Sequence, residues 1–454
     1  MPSILWFRRD LRLADLPALL TAAQGEGADG EVLACYVLDP RLTASAPRRL
    51  QYLYDALREL RDALEGRLLV TVGHPESRIP LLARAIDAKS VHISKDFSPF
   101  GRRRDQRVAE ALGDVELVAT GSPYLVSPGR VRKPDGTAYQ VFTPFFKAWR
   151  GHGWRSPAES GPHSARWINP ADVPSCPEIC ELPCRTAELE IAAGEQAARR
   201  QWGRFIRTGL DGYADARNRP DLDAVSRMSA HLKFGTIHPR TMAADLGRAQ
   251  GPQAYLRELA FRDFYAAVLY EWPESAWRNW NSAFDQIEID EDKDAERLFE
   301  AWKSGRTGFP IVDAGMRQLA ETGFMHNRVR MIVASFLVKD LHLPWQWGAR
   351  WFLDQLVDGD IASNQHGWQW AAGCGTDAAP YFRVFNPTTQ GEKFDPCGRY
   401  VRRWVRELTN LDEAVDVHQL SDPRVARPHG YPDPIVDHAQ ERMESLRRYQ
   451  ALKR

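Results

Sequence analysis

Residues 325–391 read MHNRVRMIVASFLVKDLHLPWQWGARWFLDQLVDGDIASNQHGWQWAAGCGTDAAPYFRVFNPTTQG, and the fold of most of the chain turns on how they are read. Five tryptophans (Trp345, Trp347, Trp351, Trp368, Trp370) fall within this stretch. Hydrophobic cores are usually built from Leu, Ile, Val and Phe, because a buried indole needs a partner for its N–H. Asn327 and Met331 are one helical turn apart and Arg330 lies at i+3 from Asn327, so the three share a face. Ile332, Val333 and Phe336 turn elsewhere. The spacing predicts helices over 328–341 and 345–357, with the polar face directed at a ligand. The stretch reads as a helical cofactor pocket.

The helical period continues outward from it, over 196–207, 239–248, 252–270, 295–304 and 311–322, with almost no strand signal. Residues 196–454 are therefore expected to form an all-α domain. Residues 1–125 follow another pattern. Apolar runs at Ile4–Phe7, Val32–Val37, Leu68–Val72, Val91–Ile93 and Val115–Ala119 alternate with helical segments near 15–24, 48–65, 76–88 and 102–112. Such alternation predicts an α/β domain with a doubly wound parallel sheet, whose ligands bind at the carboxyl ends of the strands. No GxGxxG or GxxxxGK[ST] loop follows any strand, which argues against an ordinary dinucleotide or nucleoside triphosphate site. The arginines of DFSPFGRRRD (96–105) suit either a solvated helix start or a ligand site. Residues 126–195, rich in Pro, Gly and Ser, read as a long interdomain linker.

Composition bounds the rest. A chain of 454 residues is too long for one core. Its 26% charged and 43% apolar residues are those of a globular protein, and no apolar run is long enough to span a bilayer. The opening MPSILWFRRDLRL has arginines inside its apolar segment and no small-residue cleavage site, unlike a signal peptide, so a cytoplasmic protein is expected. The formal net charge of zero excludes strong global attraction to nucleic acid but allows a local basic patch. The chain has six cysteines, and free thiols are the default in a reducing compartment. Cys176, Cys180 and Cys184 are regularly spaced, with His163 the nearest further ligand, but they lack the paired spacing of zinc sites. Asp358 and Asp360 in DGD could suggest a metal or an acid–base pair; without further oxygen ligands the metal reading is poor. No metal is expected.

Longer motifs carry a resemblance. WFRRDLRLAD at the start, VFTPFFKAWR (141–150), DAVSRMSAHLKFGTIHPR (223–240), RELAFRDFY (257–265) and the 325–391 block resemble the photolyase and cryptochrome family. Over nearly its whole length the chain is most similar to class I bacterial cyclobutane pyrimidine dimer photolyases. The resemblance implies FAD in a U-shaped form in the helical domain and a pyrimidine dimer flipped out of UV-damaged DNA, split by an electron from the photoexcited reduced flavin. It assigns Glu258 to the damaged base, Asn327 to substrate and adenine, and Met331, Trp370 and Phe261 to the walls of the dimer pocket. On a helix without that motif, a lone glutamate is more often a solvated residue. Tyr213 and the loop Val225, Ser226, Arg227, Met228 and Ser229 match the phosphate-binding segment, where hydroxyls and helix-start amides suit a pyrophosphate. Arg262, Arg330, Asp358, Gly359 and Asp360 match residues at the phosphates and the isoalloxazine, and Asn364 the side chain facing flavin N5. Glu258, Arg262, Tyr265 and Asn327 are the implied DNA contacts. Trp368 and Trp345 are the implied inner members of an electron relay. The 96–105 stretch resembles members with 8-hydroxy-5-deazaflavin as antenna rather than methenyltetrahydrofolate. A monomer is expected.

Three departures stand out. Val225 replaces the usual threonine of the phosphate loop, and Phe261 replaces a tryptophan that helps sandwich the dimer. Between Trp280 and Trp302 there is no tryptophan where the family has its surface electron donor. Trp347 and Trp351, near Trp345 and one turn from each other, are candidate exits. Among other readings, a cryptochrome-like receptor would share flavin and fold, but the chain runs only about 60 residues past TTQGEKFD. A (6-4) photoproduct enzyme would carry a second histidine where MHNRVRM has Asn327. A DNA-binding module alone would have no use for the aromatic and polar pocket.

Overall fold

The computed structural model describes residues 2–24, 30–43, 46–174, 181–183, 189–376 and 382–452. Cys176, Cys180 and Cys184 lie outside them. The chain divides into two compact units, Met1–Asp211 with Ser226–Pro273, and Gly212–Val225 with Glu274–Arg454.

The first unit holds the expected parallel sheet. Its strands are β1 (Ser3–Phe7), β2 (Glu31–Leu38), β3 (Leu68–Val72), β4 (Ser90–Ile93), β5 (Glu116–Ala119) and a short β6 (Arg166–Trp167). The order is β3-β2-β1-β4-β5, and every pairing is parallel. β6 pairs with β2 at Glu31 and Val32, ahead of the β3 pairing, which begins at Ala34. All five residues of β1 are buried, as expected of a central strand covered on both faces by crossover helices. The order reverses between β1 and β4, and charged groups gather at this point. Arg8 bonds Asp105 at 2.8 Å and the Ser94 carbonyl, and Arg104 bonds Asp105 at 2.8 Å and pairs with Asp96 at 3.4 Å. Both guanidiniums lie over the Trp6 ring. The three arginines in series, 102 to 104, thus split: Arg102 and Arg103 are exposed, while Arg104 is buried in the ionic cluster.

Two expectations of organisation change here. Residues 126–195 are not a structureless linker. Phe142–His152 is a helix whose Phe142, Phe145 and Trp149 are buried at i, i+3 and i+7; the helical period was present under the Pro and Gly content around it. The division into units also does not follow the 125 and 195 boundaries, because the opening motif binds much later segments. Arg12 donates to the Gly235 carbonyl at 3.1 Å, Arg240 and Thr241 donate to Asp15 at 2.6 and 3.2 Å, and Glu195 accepts from Leu13 N at 2.7 Å. Gly235 has φ +67°, and a Cβ there would stand 2.0 Å from the Arg9 carbonyl oxygen, so only glycine admits this approach. The helix Gln250–Glu271 is held in the same unit by Asp263, whose carboxylate accepts from Val126 N at 2.8 Å and Trp149 Nε1 at 3.0 Å.

The second unit is helical throughout its described residues. Its core gathers Lys293–Lys303, Pro310–Thr322, Asn327–Lys339, Trp345–Gln355 and Ile361–Ala372. Trp302 is fully buried and donates its indole N–H to the Val333 carbonyl at 3.1 Å. A ring of that size buries about 150–250 Å², which at ~25 cal/mol per Å² contributes roughly 4–6 kcal/mol before entropy is counted. The last helix, His438–Ala451, docks largely through charge. His342 meets Glu441 at 2.8 Å, Arg448 meets Asp290 at 2.9 Å, and Tyr449 stacks on Phe382 with centroids 4.4 Å apart.

Candidate functional site

In the first unit the candidate residues lie along one stripe. Helix Gln250–Glu271 buries Leu256, Leu259, Ala260, Asp263 and Phe264, while Arg257, Glu258, Phe261, Arg262 and Tyr265 stay partly exposed. That alternation is the i, i+3/i+4 rule of an amphipathic helix, and it puts Glu258 and Phe261 side by side. Phe261 stacks face to face on Phe142 at 3.5 Å and 7°. Arg262 is more committed than the motif suggests. It donates to the carbonyls of Pro123 and Leu232 at 2.7 and 3.1 Å and lies 4.7 Å from the Tyr124 ring centroid. Burial raises the Asp263 carboxyl to about 6 against the opposing pull of Arg262 and its N–H donors.

Four residues of the phosphate loop, Ser226 to Ser229, also belong to this unit. Ser226 Oγ is 2.8 Å from the Tyr255 hydroxyl and accepts from Met228 N at 3.3 Å, while Gln201 holds its carbonyl at 2.8 Å. Arg227 has φ +53°, a conformation that a non-glycine residue keeps only when its surroundings hold it there. Its guanidinium meets Glu190 at 3.1 Å. Ser229 opens the helix Ser229–Phe234.

The second unit carries the rest. Tyr213 is buried at the start of Tyr213–Ala216, and Val225 ends that segment of the unit. On Asn327–Lys339 the expected face is present: Asn327 is exposed, Arg330 and Met331 half-buried, and Ile332, Val333 and Phe336 buried. Arg330 Nη2 bonds both oxygens of Asp358, at 3.2 and 3.0 Å, and its Nε donates to the Met325 carbonyl at 2.8 Å. Asp360 caps the helix Ile361–Ala372, accepting from Ser363 N at 3.2 Å. Gly359 is buried between the two carboxylates in sequence. The two aspartates thus have separate tasks, and no group of three or more potential metal ligands occurs among the described residues. Asn364 donates from Nδ2 to the Ala349 carbonyl at 3.0 Å and to Gln365 Oε1 at 2.8 Å. With its donors occupied, its Oδ1 is the atom left for a ligand.

The tryptophans sort differently from the expectation. Trp368 is buried, and among the described residues its ring neighbours are Trp302 at 6.0 Å and Phe352 at 5.0 Å. Trp345 is not one of them; its indole N–H donates to Asn279 at 2.8 Å. Trp302 continues through Phe299 at 5.7 Å to Trp347 at 5.3 Å. Trp347 and Trp351 line a surface cavity of about 570 Å³ together with Phe299 and Lys303. Trp302 was passed over in the sequence because nothing but its ring distinguishes it from other core positions of an amphipathic helix. Trp370 is half-buried beside Lys339, Phe382 and Tyr449.

A parallel α/β sheet and a separate helical unit with this set of arginine, carboxylate, amide and indole groups define the photolyase and cryptochrome class of fold. The descriptions that match are "FAD binding domain of DNA photolyase" over residues 255–451 and "DNA photolyase" over residues 3–163. The deoxyribodipyrimidine photo-lyase of Halobacterium salinarum is 39% identical over 98% of this chain and 98% of its own length. Among solved structures, a bacterial class III photolyase from Agrobacterium tumefaciens is 35% identical, with a TM-score of 0.90 over 100% of this chain and 98% of that one. An archaeal photolyase from Sulfolobus tokodaii, described with two FAD molecules, is 30% identical with a TM-score of 0.84 over 99% and 100%. A cryptochrome from Synechocystis is 28% identical with a TM-score of 0.89 over 98% of each chain. The chain belongs to the DNA photolyase family and carries its FAD-binding domain.

Proposed function

We propose that this protein is a light-driven DNA repair lyase that splits cyclobutane pyrimidine dimers. The observation that carries the reading is the full-length 39% identity to a deoxyribodipyrimidine photo-lyase, and the partly exposed stripe of Glu258, Phe261, Arg262 and Tyr265 supports it. The donor set fits a flavin dinucleotide. Ser226, Arg227 and Ser229 offer hydroxyls and a cation suited to the diphosphate, with Tyr213 and backbone groups of Val225 and Met228 beside them in sequence. The Arg330–Asp358 pair offers donors and acceptors in fixed positions for a polar ring edge, and Asn364 presents a single acceptor oxygen that suits a ring N–H. When bound, reduced FAD supplies the electron that opens the cyclobutane ring. The family resemblance assigns binding and orientation to the protein's own residues: Glu258 and Asn327 to hydrogen bonds with the damaged base, and Phe261, Met331 and Trp370 to stacking against it. Extruding a base costs a few kcal/mol, less for a damaged one, and each aromatic stack returns about 1–3 kcal/mol.

A cryptochrome-like receptor is the second reading, favoured by the likeness to the Synechocystis structure. Purified protein incubated with a dimer-containing oligonucleotide under blue light separates the two: restored monomeric thymines support repair, and intact dimers sink it. Asn364→Asp should change the absorption spectrum of bound flavin in the dark, a readout independent of repair. The motifs resemble class I members, whereas the Agrobacterium structure is described as class III. For the second chromophore, we favour 8-hydroxy-5-deazaflavin over methenyltetrahydrofolate on the sequence of 96–105. The pigment released on denaturation, identified by its spectrum, decides among these and a second FAD. We take the enzyme to be a cytoplasmic monomer, which gel filtration and fractionation test.

A further inference from the structure

We propose that Arg257, flanked by Lys147 and Arg150, is a phosphate clamp that holds the DNA backbone beside the dimer. The inference rests on the repair reading above and adds residues that no part of it uses. Arg257 lies one turn before Phe261 on the same stripe of Gln250–Glu271. Next to it the helix Phe142–His152 continues the aromatic surface: Phe142 stacks on Phe261 at 3.5 Å, and Phe146 stacks on Phe142 at 5.6 Å and 18°. The Arg257 guanidinium lies over all three rings, its Cζ 4.6 Å from the Phe142 centroid, 5.3 Å from Phe146 and 5.7 Å from Phe261. Arg150 flanks the far end, 5.8 Å from Phe146. Lys147, exposed on the same helix, adds a third cation.

Some surface arginines in this protein are ion-paired, as Arg41 is with Asp39 and Glu76, and Arg447 with Glu444 and Glu288; these three cations are not. Among the described residues, no carboxylate lies within ion-pair distance of Lys147, Arg150 or Arg257, and no protein acceptor takes the Arg257 N–H groups. An arginine needs no partner to be solvated, but here ring contacts on one face restrict the side chain and fix the plane of the fork before any ligand arrives. A planar guanidinium with free donors, held on an apolar ledge, is the geometry for a phosphodiester oxygen pair. The ledge also explains how a chain with zero net charge presents a local cationic surface to a polyanion. Because Arg257 is within ring contact of Phe261, the clamped phosphate belongs to a nucleotide adjoining the flipped dimer. A backbone contact positions the strand without reading its sequence or its damage.

The test is the salt dependence of binding, measured with full-length protein on dimer-containing and undamaged duplexes of the same sequence between 50 and 200 mM NaCl. Removing one cation from a phosphate reduces the slope of log K against log salt by about 0.9. Arg257→Gln should therefore weaken binding to both duplexes by the same factor, and its affinity should fall about 3- to 4-fold less than the parent's across that salt range. Arg257→Lys keeps the charge and should keep the slope. Lys147→Gln, on the other helix, should lower the slope independently. The clamp is overturned if Arg257→Gln leaves the slope of the parent on both duplexes, or if its loss is confined to dimer-containing DNA. A parent that binds undamaged and dimer-containing DNA equally would instead refute the repair reading, and the slope change on undamaged DNA would still report on the clamp.

Discussion

Gly348 and Gly367 are both interior to helices of the second unit, and the same substitution should move stability in opposite directions at the two. An alanine is better than glycine in a helix by about 1 kcal/mol, so Gly→Ala stabilises wherever the methyl finds room. At Gly367, exposed on Ile361–Ala372, nothing lies within 4 Å of the added carbon. At Gly348 the new Cβ would stand 2.1 Å from Trp368 Cη2, 2.5 Å from its Cζ3 and 2.6 Å from Leu337 Cδ2. The indole cannot swing aside, because Trp302 and Phe352 pack against it and all three rings are buried. Overpacking a filled core costs about 1–3 kcal/mol, and a clash with two rigid ring atoms falls at the upper end. After subtracting the helix gain, Gly348→Ala should destabilise by about 1–2 kcal/mol, or roughly 2–8 °C in Tm for a unit of this size. Gly367→Ala should raise Tm by about 2–4 °C. Thermal unfolding followed by circular dichroism reads both. If Gly348→Ala melts at or above the parent temperature, Trp368 is not wedged against this helix as described, and the relay built on that position loses its basis.

The remaining expectations follow from single groups. The Asp263 carboxyl titrates near 6 in the folded protein against about 3.9 in an unfolded chain, so the folded state holds the proton more tightly. Its contribution is complete below about pH 4 and is lost as pH rises through about 6. Asp263→Asn should therefore lose less stability than the parent between pH 4 and pH 7, and equal losses in denaturant titrations would contradict this. Blue-light reduction of the oxidised flavin with an external thiol should fail in Trp368→Phe and slow in Trp302→Phe, Trp347→Phe or Trp351→Phe, while the chemically reduced Trp302→Phe enzyme repairs at the parent rate. Parent-like photoreduction in Trp302→Phe would return the route to Trp345. Trp370→Ala should weaken dimer binding more than Phe261→Ala, since one Phe261 face already rests on Phe142; a titration giving the reverse order would show that Phe261 meets the dimer more fully.

Much of the architecture was legible in the chain, because periodicity reports burial directly. The five strand runs fall within one residue of their observed bounds; β1 to β4 are mostly buried and so must be largely apolar, while β5, at the sheet edge, is exposed or half-buried. The face shared by Asn327, Arg330 and Met331 follows from helical spacing, whereas Glu258, Phe261 and Tyr265 were singled out by the family motif and only the structure shows them on one partly exposed stripe. Local pattern failed where the deciding partner is far along the chain. The two-residue β6 exists only because β2 offers an open edge at Glu31 and Val32. The union of the opening motif with residues 235–241 rests on Arg12 and Asp15 meeting groups more than 200 positions away, and no period encodes such a separation. The same holds for the rings. A sequence shows that Trp302, Trp368 and Phe352 are present, but the helix packing that closes their contacts decides which of them adjoin. It likewise takes the stacking of Phe142 on Phe261 to turn Arg257 from one more helical arginine into a cation with its orientation fixed.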